Sequence, residues 1–124
     1  MILWLAVAIG GAFGAMARYG VSVAFAGVHP KFPVATLIVN VAGSFAIGVL
    51  YVLIVEKGVL PPVWRHALMI GFLGAFTTFS TFSIESLHLL QLGHWQTALF
   101  YIASSFILSL CAVFSAIVLT EKLI

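Results

Sequence analysis

Charged side chains are almost absent from this sequence. Only 6% of its 124 residues are charged, and aspartate does not occur. A soluble globular domain carries about 25% charged residues, so this inventory excludes a water-exposed surface of the usual kind. The basic residues are also too few and too scattered for a nucleic-acid interface. The acidic residues are Glu56, Glu85 and Glu121, and the basic residues are Arg18, Lys31, Lys57, Arg65 and Lys122.

Cysteine is equally scarce, since Cys111 is the only one. An internal disulfide is therefore excluded, and a thiol inside an apolar run is expected to be buried and inert. The four histidines lack the spacing of a metal-ligand set. No nucleophile and base arrangement, phosphate loop or dinucleotide fingerprint occurs either, which argues against an enzyme.

Long hydrophobic runs are what the sequence does contain. Hydrophobic residues make up 64% of the chain, and a bilayer-spanning helix needs about 20 apolar residues. The first run has no basic leader and is too long for a signal peptide, so we expect it to be retained. We predict an all-α membrane protein, with one integral membrane domain over residues 1–124. Its four transmembrane helices are expected at about residues 2–26, 33–56, 62–92 and 94–120.

The predicted linkers are short, so neighbouring helices should be antiparallel. Their flanking charges are nearly balanced: Lys57, Arg65 and Lys122 belong to one side of the membrane, and Lys31 and Arg18 to the other. Such a weak bias favours insertion in both orientations, with two copies pairing antiparallel. The alternative is a single orientation that this charge count does not reveal.

The third run carries an unusual stretch, GFLGAFTTFSTFS at residues 71–83. Hydroxyl side chains can bond to their own helix and need no function. Their density here instead predicts a helix broken near the membrane midplane, with freed carbonyl groups facing an ion, water or a partner. Phe79 and Phe82 are three residues apart and share a face. They are either packing residues or a pair whose positive ring edges meet a small anion.

Polar residues also interrupt the second and fourth runs. Asn40 can donate to an anion or join two helices. Tyr101, Ser105 and Ser109 form one polar track at intervals of four residues, which either carries a solute or satisfies a neighbouring helix. Arg18 either anchors at the interface or attracts anions at a vestibule. We expect Glu85, the one acid that the membrane can embed, to be partnered by a serine or by His88.

These residues resemble those of the Fluc (CrcB) fluoride channel family. The segments that match are GGAFGAMARY at residues 10–19, TLIVNVAGSF at residues 36–45, the stretch at residues 71–83, and the tyrosine and serine track. The resemblance covers essentially the whole chain. One departure is Ala75, where many members have glycine; its side chain is expected to restrict the backbone at the break and to leave the carbonyl ligands available.

The resemblance implies a passive fluoride exporter of the bacterial cytoplasmic (inner) membrane that confers fluoride resistance. Members form antiparallel, dual-topology homodimers with two pores, surrounded by lipid. A structural sodium ion lies at the dimer centre, held by backbone carbonyls that match Gly74 and Thr77, and Arg18 matches a vestibule arginine. The implied fluoride pore residues are Asn40, Phe79, Phe82, Tyr101, Ser105, Ser109, Thr36, Ser80 and Thr81.

Two other functions compete with this one. A small four-helix, proton-coupled multidrug-type transporter needs a titratable carboxylate in its membrane core, and only Glu85 can serve here. A non-transporting helper subunit of a membrane complex leaves the hydroxyl-rich break without a role. Ion flux from liposomes distinguishes all three.

Overall fold

The computed structural model describes residues 1–124, and helices account for most of them. Four helices are long and apolar enough to cross a membrane. This confirms the predicted all-α class and four spans, and the chain is a multi-pass membrane protein. In chain order the first to fourth helices are Ile2–Ala24, Val34–Glu56, Arg65–Gln91 and Trp95–Leu123.

Glycine and proline determine where these helices begin and end. Gly27 and Gly93 follow the first and third helices with φ of 76° and 83°, a left-handed conformation that glycine adopts without steric cost. Pro61 and Pro62 lie just before the third helix, and their carbonyls accept tight-turn bonds from Trp64 N and Arg65 N, both at 3.0 Å. Helical backbone begins at residue 63, close to the predicted residue 62, and its π-helical winding begins at Arg65.

Two stretches are wound more widely than an α-helix. The second helix is α-helical over Val34–Leu50 and π-helical over Tyr51–Glu56, and the third opens with a π-helix over Arg65–Leu73. Each wide turn bonds residues five apart, as in the 2.8 Å bond from Lys57 N to the Val52 carbonyl.

The third helix is interrupted near its middle. One α-helical turn, Gly74–Phe76, is followed by extended backbone at Thr77 (ψ 158°) and Thr78 (φ −151°, ψ 121°). Helix resumes over Phe79–Gln91. We call residues 65–76 the entering half, residues 77–78 the interruption and Phe79–Gln91 the leaving half.

The helices pack in two pairs. The first helix lies mainly against the entering half of the third, and the second lies mainly against the fourth. Both contacts depend on glycine: a Cβ on Gly14 would collide with the Phe72 carbonyl oxygen, and one on Gly48 would come within 2.8 Å of the Val113 carbonyl oxygen. Small residues thus let the backbones approach closely, as membrane helices often do.

Most of the chain faces outward, since only 17 of its 124 residues are buried. A small apolar cluster of Phe82, Leu89, Ala98 and Tyr101 joins the leaving half to the fourth helix. The expectation of a buried Cys111 is wrong, because that thiol is exposed. Its helix presents an apolar surface to the surroundings, which suits lipid.

Candidate functional site

A cleft of about 380 Å³ opens beside the interruption, between the second, third and fourth helices. It brings together residues that are far apart in the sequence. Its walls are mostly apolar or hydroxyl-bearing, and none of its lining residues carries a formal charge. The predicted site residues that line it are Asn40, Gly74, Thr77, Phe79, Phe82, Ser105 and Ser109.

Asn40 holds the interruption to the second helix. Its Nδ2 donates to the Thr78 carbonyl at 3.0 Å, and its Oδ1 accepts from the Thr78 N–H at 2.8 Å. Both backbone groups of one extended residue are therefore satisfied by one side chain. Since an amide NH₂ has two donor hydrogens, Asn40 keeps one for the cleft.

Thr78 starts the leaving half. Its Oγ1 accepts from the Thr81 N–H at 3.1 Å, which is an N-cap bond. Thr77 instead turns its hydroxyl back to the Leu73 carbonyl at 2.9 Å. In a continuous helix the N–H groups of residues 78 and 81 would meet the carbonyls of residues 74 and 77. Side chains take both donors here, so the Gly74 and Thr77 carbonyls lose those partners.

Phe79 and Phe82 stand beside one another at the cleft. Their ring centroids are 5.6 Å apart with the planes tilted by 42°. Phe82 is 7% exposed and meets Phe106 edge-on, whereas Phe79 is 71% exposed. The chain alone therefore buries one ring of the pair and leaves the other without a cover.

Tyr101 lies at one end of the polar track, fully buried, and is not part of the cleft wall. Its hydroxyl donates to Glu85 Oε1 at 3.0 Å. The expected partners of Glu85, a serine or His88, are thus replaced by a tyrosine from the facing helix. Phe32 packs edge-on against Tyr101 at 5.4 Å, which closes the apolar side of the ring.

Ser105 is the most informative member of the track. Its Oγ is buried and has no hydrogen-bond partner, although a buried hydroxyl normally has one. Ser105 lines the cleft together with Ser109. The chain therefore leaves one hydrogen-bond donor unsatisfied on a residue of the cleft wall.

The remaining predicted pore residues lie around the cleft rather than in its wall. Thr36 is buried on the second helix. Ser80 is exposed and sits 3.4 Å from the Thr78 hydroxyl, and Thr81 contributes its backbone N–H to the cap.

Arg18 reaches the third helix rather than extending along its own. Its Nε donates to the Ala75 carbonyl at 3.0 Å, across 57 residues of sequence. This bond lies in the last turn of the entering half, just before the interruption.

Sequence reasoning missed two features of the site. The capping role of Thr78 had a local signal, because threonine begins helices whose third residue donates back to it. The Tyr101 and Glu85 bond had none, since only the packing of the third and fourth helices brings these residues together. No group of three or more His, Cys, Asp or Glu side chains is placed to hold a metal ion, so the oxygens available to a cation here are those of backbone carbonyls, hydroxyls and the Asn40 amide.

Comparison with known proteins gives a consistent result. The family model described as "CrcB-like protein, Camphor Resistance (CrcB)" matches residues 5–117. A "Fluoride-specific ion channel FluC" of Saccharophagus degradans is 68% identical over 124 residues, covering 100% of this chain and 93% of the relative. Proteins of the same name from Magnetococcus marinus and Nitratiruptor sp. are 45% and 44% identical, covering 94% and 95% of this chain and 94% and 91% of the relatives.

Proposed function

The chain belongs to the CrcB family, which confirms the resemblance, and from this premise we propose that it is a fluoride-specific ion channel. Its relatives are named as channels, so the family is one of ion channels and not of enzymes. The observation that carries the proposal is the uncharged cleft with its unpartnered Ser105 hydroxyl.

The chemistry of the cleft suits a small, strongly hydrated anion. Such an ion must exchange its water for donors, yet bind weakly enough to leave. Asn40, Ser105 and Ser109 offer neutral donors, and the ring edges of Phe79 and Phe82 carry partial positive charge. Because no fixed cation lines the cleft, fluoride would be stabilised there without being trapped. Tyr101, Thr36, Ser80 and Thr81 would extend the path beyond the cleft. Arg18, for which the resemblance implies a vestibule position, bonds to the Ala75 carbonyl.

The functional unit we propose is an antiparallel, dual-topology homodimer with two pores. The exposed Phe79 ring, the exposed Gly74 and the open cleft lie together on one surface. A second copy that covered this surface would supply the missing wall. The nearly balanced flanking charges favour insertion in both orientations.

A structural sodium ion at the dimer centre fits the backbone at the interruption. The Gly74 and Thr77 carbonyls lack the N–H partners of a continuous helix, because Asn40 and Thr78 take those donors. Carbonyl oxygens are hard ligands and suit a hard cation. When bound, sodium would offset the partial negative charges of these carbonyl oxygens. The interruption of the third helix would lie close to the membrane midplane.

The physiological role that we propose is passive export of fluoride across the bacterial cytoplasmic membrane. No acidic side chain lines the cleft to couple transport to protons, and Glu85 is bonded to Tyr101 instead. Fluoride would then leave the cell down its electrochemical gradient, and this export would make the cell resistant to fluoride.

Fluoride efflux from liposomes containing the purified protein tests the proposal. We expect rapid fluoride efflux and no chloride efflux. Phe79→Ile and Phe82→Ile should each reduce fluoride efflux at least tenfold while leaving the elution volume of the dimer unchanged. Phe114→Ile, at a ring that is 71% exposed away from the cleft, is the matched control and should conduct normally. Wild-type efflux in both cleft variants would contradict the pore assignment.

A further inference from the structure

Arg18 stands out because its charge lies within a spanning helix and no carboxylate bonds to it. Its Nε instead donates a hydrogen bond to the Ala75 carbonyl. The three acidic residues lie elsewhere: Glu85 accepts from Tyr101, and Glu56 and Glu121 are at helix ends. An intramembrane cation is costly and usually functional.

The interruption frees the Ala75 carbonyl as well as the Gly74 and Thr77 carbonyls proposed to hold sodium. Ala75 lies between Gly74 and Thr77, and in a continuous helix its carbonyl would meet the N–H of residue 79. The extended backbone at Thr77 and Thr78 carries residue 79 out of that register. Arg18 from the first helix then supplies a replacement donor at 3.0 Å.

Resting on the proposed function, we propose that Arg18 is a positioning residue for the interruption. Its Nε fixes the Ala75 carbonyl and so holds the entering half in the shape that leaves the Gly74 and Thr77 carbonyls free for the cation. Asn40 performs the matching task on Thr78, from the second helix. The interruption is thus held on both sides by side chains from the two neighbouring helices.

This role differs from that of a vestibule charge that attracts fluoride. Substitutions that keep either the donor or the charge distinguish the two roles. Glutamine places Nε2 at the same number of bonds from Cα as Nε of arginine, so Arg18→Gln keeps the donor and removes the charge. Arg18→Lys keeps the charge but has a methylene at that position. Arg18→Met keeps neither. Arg65→Met removes an exposed arginine that makes no side-chain hydrogen bond in the structure and is the control.

The first measurement is the unfolding temperature of the purified protein as sodium replaces N-methylglucamine at constant ionic strength. We expect wild type, Arg65→Met and Arg18→Gln to be stabilised with sodium midpoints within about threefold of one another. Arg18→Met and Arg18→Lys should need at least tenfold more sodium. A purely structural role would lower the unfolding temperature at every sodium concentration without moving the midpoint, and that result would overturn the proposal.

The second measurement is fluoride efflux from liposomes over the same sodium series. Arg18→Gln should follow wild type, and Arg18→Lys should require more sodium. The opposite order, with lysine active and glutamine impaired, would assign Arg18 to charge attraction and overturn the proposal. If Arg18→Met does not fold, the comparison of Arg18→Gln with Arg18→Lys is sufficient to test the proposal. Absence of fluoride efflux in wild type would instead defeat the channel assignment, which the sodium midpoints do not depend on.

Discussion

At the scale of single residues, Asn40 and Ser105 show how two polar groups in one cleft can differ in purpose. Asn40 satisfies both backbone groups of Thr78, whereas Ser105 bonds to nothing in the chain. Removing the first should therefore damage the fold, and removing the second should damage only transport.

Replacing Asn40 by alanine leaves the N–H and carbonyl of Thr78 without partners. Each unsatisfied buried group costs about 1–3 kcal/mol, so we expect Asn40→Ala to unfold at a temperature several degrees lower and to lose fluoride efflux. The measurements are thermal unfolding in detergent and liposome efflux. Ser83→Ala is the control, since the Ser83 hydroxyl is exposed and bonds only to its own helix. An unchanged unfolding temperature in Asn40→Ala would show that the two Asn40 bonds to Thr78 do not stabilise the fold.

Ser105→Ala should separate stability from transport. Deleting an unpartnered buried hydroxyl removes a desolvated group, so the unfolding temperature should stay the same or rise. Fluoride efflux should fall at least tenfold, because the donor is lost from the cleft. Ser104→Ala, beside it and bonded to the Tyr101 carbonyl, should conduct normally. Full efflux in Ser105→Ala would remove this serine from the path.

At the scale of secondary-structure elements, the contact between the first and third helices depends on glycine at position 14. A Cβ at Gly14 would strike the Phe72 carbonyl oxygen, and backbone cannot move aside as a flexible side chain can. Gly14→Ala should thus separate the two helices, lower the unfolding temperature by several degrees and weaken the Arg18 contact with Ala75.

Gly20→Ala is the matched control on the same helix. Nothing lies within 4 Å of a Cβ at Gly20, and alanine in a helix interior is favoured over glycine by about 1 kcal/mol. We expect this variant to be as stable as wild type or more stable. Equal unfolding temperatures in the two alanine variants would mean that the close approach contributes nothing.

The first linker depends on one histidine acceptor. His29 Nδ1 accepts from the Lys31 N–H at 3.1 Å and the Phe32 N–H at 2.9 Å. His29→Ala removes this acceptor, so the hydrogen-exchange protection factors of these two amides should fall below those of wild type. In His29→Asn the amide oxygen can accept in place of Nδ1, so the protection factors should change little. Equal protection in wild type and His29→Ala would contradict the cap.

At the scale of the whole molecule, the surface around Phe79 and Gly74 is incomplete in one chain. We expect a second copy to cover it in the opposite orientation. A tag on the C-terminus should then be accessible to protease from both faces of sealed membrane vesicles. Complete digestion from one face only would refute dual topology, whereas the fluoride channel assignment would be unaffected.

Much of this protein follows from the sequence alone. Four apolar runs, each about 20 residues long and with few charges, favour membrane helices, because a helix satisfies every backbone group within one segment in lipid. The density of Ser and Thr after Gly74 predicted freed carbonyls, and the motif at residues 71–83 was specific enough to identify the family.

Only the tertiary structure decided which polar groups are occupied and which are free. Asn40 and Thr78, Arg18 and Ala75, and Tyr101 and Glu85 are pairs from different helices, and spacing along one helix carries no information about the register of its neighbour. Ser105 and Ser109 look alike in the sequence, yet packing leaves the Ser105 hydroxyl buried without a partner. The scarcity of charge determined the environment of the chain, and helix packing determined where its few polar groups act.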